Sequence, residues 1–248
     1  MATSQPPALI DLIDQTTIIS LLSTLAILAV AFAISRRALD ASTAPSCRFL
    51  FVWHAFDALI HFCLEGSFLY HCFFSWVVPA ATKDMDKDLF FPNPHNFLGY
   101  ADGRVHGAQA GGENPFAQLW MVYAKADRRW AGVDLGIVSL ELLTVFVVGP
   151  AAVLVCYDIA KKNTARANLV MIMLATAELY GGFMTFCPEW LVGSVNLDTS
   201  NFMYLWVFLV FFNTLWVWIP LYAIYIAAAD VFDAYRVRDA AGVVKKRN

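Results

Sequence analysis

Trp53-His54-Ala55-Phe56-Asp57-Ala58-Leu59-Ile60-His61-Phe62-Cys63-Leu64-Glu65-Gly66 lies inside a long apolar run, Cys47 to Val78, yet carries four ionisable side chains. An α-helix turns about 100° per residue, which puts His54, His61 and Glu65 in a sector of about 40° with Asp57 about one side chain away. Residues four apart meet on a helix face, so His61 and Glu65 can pair. One Asp at the centre of a membrane helix costs roughly 2.5–3.5 kcal/mol. A stripe of this kind persists only against partners, a ligand or a wet cavity. It is expected to form one wall of a functional site.

The rest of the chain supplies the setting. Its 248 residues are 59% hydrophobic and only 15% charged, and mean hydropathy is +0.58. That composition belongs to a polytopic membrane protein. The net charge of −3, with no basic patch interleaved with aromatics, argues against a nucleic-acid partner. Five cysteines (47, 63, 72, 156 and 187) have no CxxC spacing and read as thiols within apolar runs.

The apolar pattern predicts an all-α membrane protein, a bundle of five transmembrane helices in one domain over 1–248. The spans are expected at about 16–35, 48–70, 132–157, 168–188 and 202–227, each near the roughly 20 residues needed to cross the hydrocarbon. The first is aliphatic and reads as an anchor without chemistry. Residues 1–15 lack a basic n-region and do not read as a cleavable signal. A long loop is expected at 79–131. Its first half, with Asp84-Met85-Asp86-Lys87-Asp88 and Pro92-Asn93-Pro94, is irregular. In its second half, Asn114-Pro115 caps an interfacial helix carrying Phe116, Leu119, Trp120 and Tyr123 at helical spacing.

Charge orients the bundle. Arg36, Arg37 and Arg48, then Lys161, Lys162 and Arg166, then the tail at 228–248, all fall on one side of a five-span arrangement. That side is expected to be cytosolic, with the 79–131 loop opposite. The final Lys245-Lys246-Arg247-Asn248 is read as a dilysine retrieval signal of the endoplasmic-reticulum membrane, or as a basic tail holding anionic lipid.

Five carboxyls lie inside the spans: Asp57, Glu65, Asp134, Glu141 and Glu178, with no Lys or Arg at their depth. In low dielectric a carboxyl without a cation keeps its proton. A neutral acid beside an ionised one can add a proton to an alkene and remove another nearby. Trp216 offers a π face for a cation, and Asn213 lies one turn earlier. Each residue has a simpler reading as well: a helix-tying pair for His61 and Glu65, interfacial solvation for Asp134, packing for Trp216. A di-iron site requires repeated Glu-x-x-His motifs from facing helices. Here Glu follows His by four and the later spans hold no His, so no metal is expected. No nucleotide-binding motif is present, and no cofactor is expected.

These residues resemble a known family. Ile60-His61-Phe62-Cys63-Leu64-Glu65-Gly66 is similar to the IHxxxEG of the emopamil-binding protein (EXPERA) family, and Leu119 to Arg129 resembles its LWxxYAKxDxR. Asp134, Glu141, Gly149-Pro150, Leu179-Tyr180-Gly181, Tyr204-Leu205-Trp206 and Phe212 to Pro220 follow in the family's order, so the resemblance covers roughly 47–227. It implies a five-helix bundle of the endoplasmic reticulum, a homodimer, and sterol Δ8–Δ7 isomerase chemistry without a redox cofactor. It assigns proton handling to His61, Glu65 and Glu141, and the cationic centre to Asn213 and Trp216. Asp57, Asp134, Glu178 and Tyr180 are expected to contact the substrate. Two positions depart: Glu178 stands where the isomerases carry Gln, and Gly182 where they carry Asp. They leave the substrate open between a sterol and a terpenoid lipid that a related enzyme would cyclise or isomerise. A binding protein without activity is the third reading, which the His61–Glu65 pair argues against.

Overall fold

A computed structural model describes residues 15–78 and 91–242. The N-terminal residues, the Asp84–Asp88 acidic run and the terminal basic motif lie outside them. Among the described residues, five helices are long and apolar enough to cross a bilayer: α1 (Gln15–Ala38), α2 (Pro45–Phe74), α4 (Leu135–Ala160), α5 (Thr164–Leu191) and α6 (Met203–Ala240). A shorter helix, α3 (Pro115–Ala124), precedes α4.

The ends of these helices follow local chemistry that hydropathy does not report. α2 starts at Pro45, which needs no amide partner in a first turn. α4 begins at Leu135 because Asp134 caps it, its Oδ1 accepting from the Ile137 amide at 2.9 Å. Residues 128–131 form a 3-10 turn instead of the start of the span. α6 runs on to Ala240, so the stretch from 228 to 240, expected in the solvated tail, is helical. Arg236 and Asp233 pair three apart along its surface at 3.1 Å, a spacing that supports a solvated helix.

α2 packs against α1 and against the C-terminal half of α4, α4 packs on α5, and α5 on α6. α1 is the least enclosed and turns Ile18, Ile19, Leu22, Leu25 and Phe32 outward. In a bilayer those side chains meet acyl chains, which cost them nothing.

The 91–131 segment folds over one end of the bundle. Trp76–Val77 pairs antiparallel with Val105–His106 in a two-stranded ribbon, where an irregular loop was expected. Gly107, at φ 109°, lies so close to the Ala131 carbonyl that a Cβ there would come within 2.6 Å of it. Asn114 caps α3 as expected, its Oδ1 accepting from the Phe116 amide at 2.9 Å. Trp120 of α3 stacks on Trp130 with ring centroids 4.8 Å apart. Arg129 is buried against Asp127, at 2.6 Å, and donates to the Thr185 carbonyl at 2.8 Å, which ties this cap to α5. Burial pushes the Asp127 carboxyl up, and the adjoining guanidinium pulls it partly back.

Three spans contain π-helical segments: Ile60–Glu65 in α2, Thr144–Val148 in α4 and Met203–Phe212 in α6. A wider turn shifts side-chain register locally and is frequent at functional sites. The first two segments face each other, and Gly149 permits the approach. A Cβ on Gly149 would come 3.0 Å from the Phe62 ring and 3.3 Å from His61 Cβ.

Candidate active site

His61 sits in the first π segment, 1% exposed, with a carboxyl on each side of its ring. Nδ1 is 2.5 Å from Glu65 Oε2, and Nε2 is 3.1 Å from Asp57 Oδ1. The stripe read from the sequence therefore forms, and it clamps the imidazole from both directions. His54, on the same stripe, is fully buried and does not reach the cavity described below.

Two further helices extend the cluster. On α4, the Thr144 hydroxyl lies 2.6 Å from Glu65 Oε2 and 2.9 Å from Glu141 Oε2. Thr144 thus bridges the two carboxyls. On α5, a Glu178 carboxyl oxygen lies within 4.8 Å of one of Asp57. Two carboxylates offer only acceptors, so either pair can hydrogen-bond only when one partner carries a proton. If both were ionised, Asp57 Oδ2 and both Glu178 oxygens would be buried with no donor among the described residues. Four carboxyls therefore form two pairs, Glu65–Glu141 and Asp57–Glu178, with His61 between them. Potential ligand atoms of Asp57, His61 and Glu178 lie within 4.8 Å of one another, a set that could also hold a divalent cation.

Trp216 of α6 donates its indole N–H to Asp57 Oδ1 at 2.8 Å. Trp53 packs against its ring with centroids 5.3 Å apart. Asn213 directs its amide to the Phe208 and Leu209 carbonyls at 2.9 and 3.0 Å and to the Tyr123 hydroxyl at 3.0 Å. The two carbonyls belong to the third π segment, so the side chain helps satisfy backbone groups near the end of the irregular turn. Burial raises the Tyr123 phenol well above its ordinary value, which keeps it a neutral hydroxyl.

The cluster forms one side of a cavity of about 230 Å³ that reaches all five long helices and α3. His61, Glu65, Glu141, Glu178, Asn213 and Trp216 line it. Leu64, Leu119, Trp120, Leu140, Val148 and Phe212 give the rest of the wall an apolar character. Side chains brought together from separate helices in this way leave an apolar chamber with polar groups converging on one region, the usual form of a small-molecule site.

Three of the expected substrate contacts, Asp57, Asp134 and Tyr180, do not line the cavity. Tyr180 is 60% exposed on the outer face of α5 and is not among the lining residues. Glu178, two positions earlier and so about 200° away around the helix, turns inward to the cavity. Asp134 is the α4 cap, occupied by the Ile137 amide. Asp57 is fully buried behind the wall, against His61 and Trp216.

The sequence reading also omitted residues. Ser20, Leu21 and Thr24 bring α1 to the cavity, so that helix is more than an anchor. Two hydroxyls four apart in an aliphatic span were the available signal. Thr144, three residues after Glu141, was legible as its i+3 neighbour. Gly181 and Gly182 line the α5 side, and a Cβ at either would meet no atom within 4 Å, so this wall is open.

The family model described as EBP: EXPERA (EXPanded EBP superfamily) matches residues 115–227. Glu141, Glu178, Asn213 and Trp216 fall inside the match; His61 and Glu65 lie before it. The chain is 28% identical over 173 residues to a probable 3-beta-hydroxysteroid-Delta(8),Delta(7)-isomerase of Arabidopsis thaliana, covering 70% of this chain and 61% of the relative. It is 26% identical over 174 residues to a protoglabretal synthase of Citrus sinensis, covering 70% and 65%. To an isomeliandiol synthase of Melia azedarach it is 25% identical over 173 residues, covering 70% and 64%. The matches thus take in less than two thirds of each relative's length.

Proposed function

We propose, from the match of residues 115–227 to the EXPERA family model, that the chain is a membrane-embedded isomerase of this family that moves a C=C bond in a sterol-like polycyclic lipid. The carrying observation is the placement of paired carboxyls and an imidazole on one side of an apolar cavity, beside the Trp216 ring. A polycyclic lipid brings apolar surface for the chamber and an alkene for the acids.

In this reading a carboxyl of the Glu65–Glu141 pair gives its proton to one alkene carbon. The π electrons become the new C–H bond, and the neighbouring carbon becomes a cation. The indole of Trp216 stabilises it, a contact worth about 2 kcal/mol or more once desolvated. The carboxyl cluster adds fixed negative charge at short range in low dielectric. The next carbon then gives a proton to a carboxylate of the cluster, and its C–H electron pair becomes the new double bond. Asp57 orients both His61 and Trp216 from behind. Tyr123 and Asn213 close the polar edge of the chamber. The work is carried out in a bilayer, and the endoplasmic reticulum is the proposed one.

A second reading keeps the scaffold and changes the lipid: a proton-initiated rearrangement of a terpenoid. It is favoured by the relatives named protoglabretal and isomeliandiol synthases and by Glu178, an acid beyond the His61, Glu65 and Glu141 set. Membranes containing the protein, incubated with a Δ8 sterol and separately with a triterpenoid alkene or epoxide, distinguish the two by product mass spectra. Conversion of the Δ8 sterol to its Δ7 isomer supports the first reading. Conversion of the triterpenoid alone supports the second.

A further inference from the structure

We propose that Asp57 and His61 on α2 and Glu178 on α5 form a binding site for one divalent first-row cation, such as Zn²⁺, at the edge of the chamber. The di-iron pattern is absent from the sequence, but one imidazole and two carboxyls are enough to hold a single ion.

Four side-chain atoms in this corner are buried and make no hydrogen bond among the described residues: Asp57 Oδ2, His61 Nε2 and both oxygens of Glu178. They belong to the three residues whose potential ligand atoms lie within 4.8 Å of one another. All three side chains are buried. Buried polar atoms without partners are few in a folded protein, and each costs free energy. These four are all lone-pair carriers on residues of ligand type, and they converge from two helices. A proton shared between the two carboxyls serves Asp57 Oδ2 and one Glu178 oxygen, and it leaves His61 Nε2 unserved. That nitrogen is 3.1 Å from Asp57 Oδ1, but their alignment is not that of a hydrogen bond. A cation serves the imidazole and both carboxyls together.

The neighbours hold the three ligands as metal ligands are held. His61 Nδ1 meets Glu65 Oε2 at 2.5 Å. With that N–H given to a carboxylate, the lone pair lies on Nε2, the tautomer a metal requires. Trp216 donates to Asp57 Oδ1 at 2.8 Å, which leaves Oδ2 as the free oxygen of that carboxyl. The donors are nitrogen and oxygen only, a set that suits Zn²⁺ or Mn²⁺. The ion also neutralises two carboxylates that have no Lys or Arg at their depth. His61 and Glu178 line the cavity and Asp57 does not, so the remaining coordination positions lie on the chamber side. Gly181 and Gly182 keep that wall clear. A lipid oxygen, as in an epoxide, ketone or hydroxyl, is the ligand class that fits those positions. Glu141 and its Thr144 contact stand outside the ligand set and keep their place as proton source.

The test uses the full chain in lipid nanodiscs, stripped with a chelator and then titrated with Zn²⁺. Bound zinc is counted after desalting, and the thermal midpoint is read with and without the ion. One zinc per chain is expected, with a higher midpoint. Glu178→Gln gives the Asp57 carboxylate an amide donor, so its stripped form should melt no lower than the stripped unmodified protein, yet lose the zinc and the midpoint shift. Glu65→Gln should weaken zinc binding about 10–100-fold, the usual effect of removing a carboxylate behind a ligating imidazole. Co²⁺ loaded in place of zinc should show d–d absorption without a thiolate charge-transfer band. Unmodified protein that retains no zinc overturns the assignment, as does a Glu178→Gln protein that keeps the full complement. So does a Glu65→Gln protein that binds zinc as tightly as the unmodified one, or a thiolate band, which would place the ion on a cysteine. No substrate enters these readouts, so loss of the metal site leaves the isomerase reading to its own sterol assay.

Discussion

The indole N–H of Trp216 donates to Asp57 Oδ1 at 2.8 Å, and the same oxygen lies 3.1 Å from His61 Nε2. One buried carboxylate oxygen therefore positions both an aromatic face and an imidazole that come from different helices. Replacing Asp57 by Ala leaves the indole N–H and the ring nitrogen without that partner in a dry space. A buried donor so orphaned costs about 1–3 kcal/mol. Asp57→Ala is expected to lower the thermal midpoint in detergent and to reduce turnover at least about 100-fold, at a rate no added substrate restores. Asp57→Asn, which keeps an acceptor for the indole, should recover most of the midpoint and little of the turnover.

Thr144 tests the other pair. Its hydroxyl lies between Glu65 and Glu141. Thr144→Val keeps the shape and removes the bridge. Hydrogen bonds to charged groups are worth about 1.5–3 kcal/mol, so initial rates should fall roughly 10–100-fold with little change in melting. Thr144→Ser, which restores the hydroxyl, should return most of the rate.

Arg129 tests the cap. It is 3% exposed, bonded to Asp127 and the Thr185 carbonyl, and 3.7 Å from Glu189. Arg129→Leu strands buried carboxylates, for which about 3–5 kcal/mol is typical. A thermal melt should show the loss, and the double variant with Asp127→Leu should recover part of it. Equal melts for the single and double variants would mean that the pair is uncoupled.

A cation held where the carbocation forms should bind tightly. An N-protonated aza-steroid is expected to bind at least about 100-fold more tightly than its neutral carbon counterpart, since it matches the charge of the reactive state. Trp216→Leu should cost the charged probe about 10–30-fold and the neutral one much less. Equal losses for both probes would assign Trp216 to packing.

The stripe from His54 to Glu65 was legible because charge inside an apolar run has few explanations. The pairing of His61 with Glu65 followed from their spacing. The five spans were equally plain from hydropathy. The π segments were not, because hydrogen-bond register leaves no mark on a hydrophobic pattern. Asp134 looked like a site acid because an N-cap carboxylate and a catalytic one are the same residue type at the same depth. Tyr180 stood in a span whose inward face was not fixed by its own sequence. The ribbon joining Trp76–Val77 to Val105–His106 depends on a non-local pairing that composition does not specify.

The most direct measurement follows a Δ8 sterol in nanodiscs holding the unmodified protein, with no nicotinamide or flavin added, and reads product by mass and double-bond position. The account predicts a Δ7 sterol of unchanged mass, formed by the unmodified protein and lost in His61→Ala and Glu141→Gln. A sterol left intact by protein that still binds the aza-steroid, or isomerisation that persists in Glu141→Gln at the unmodified rate, would contradict it.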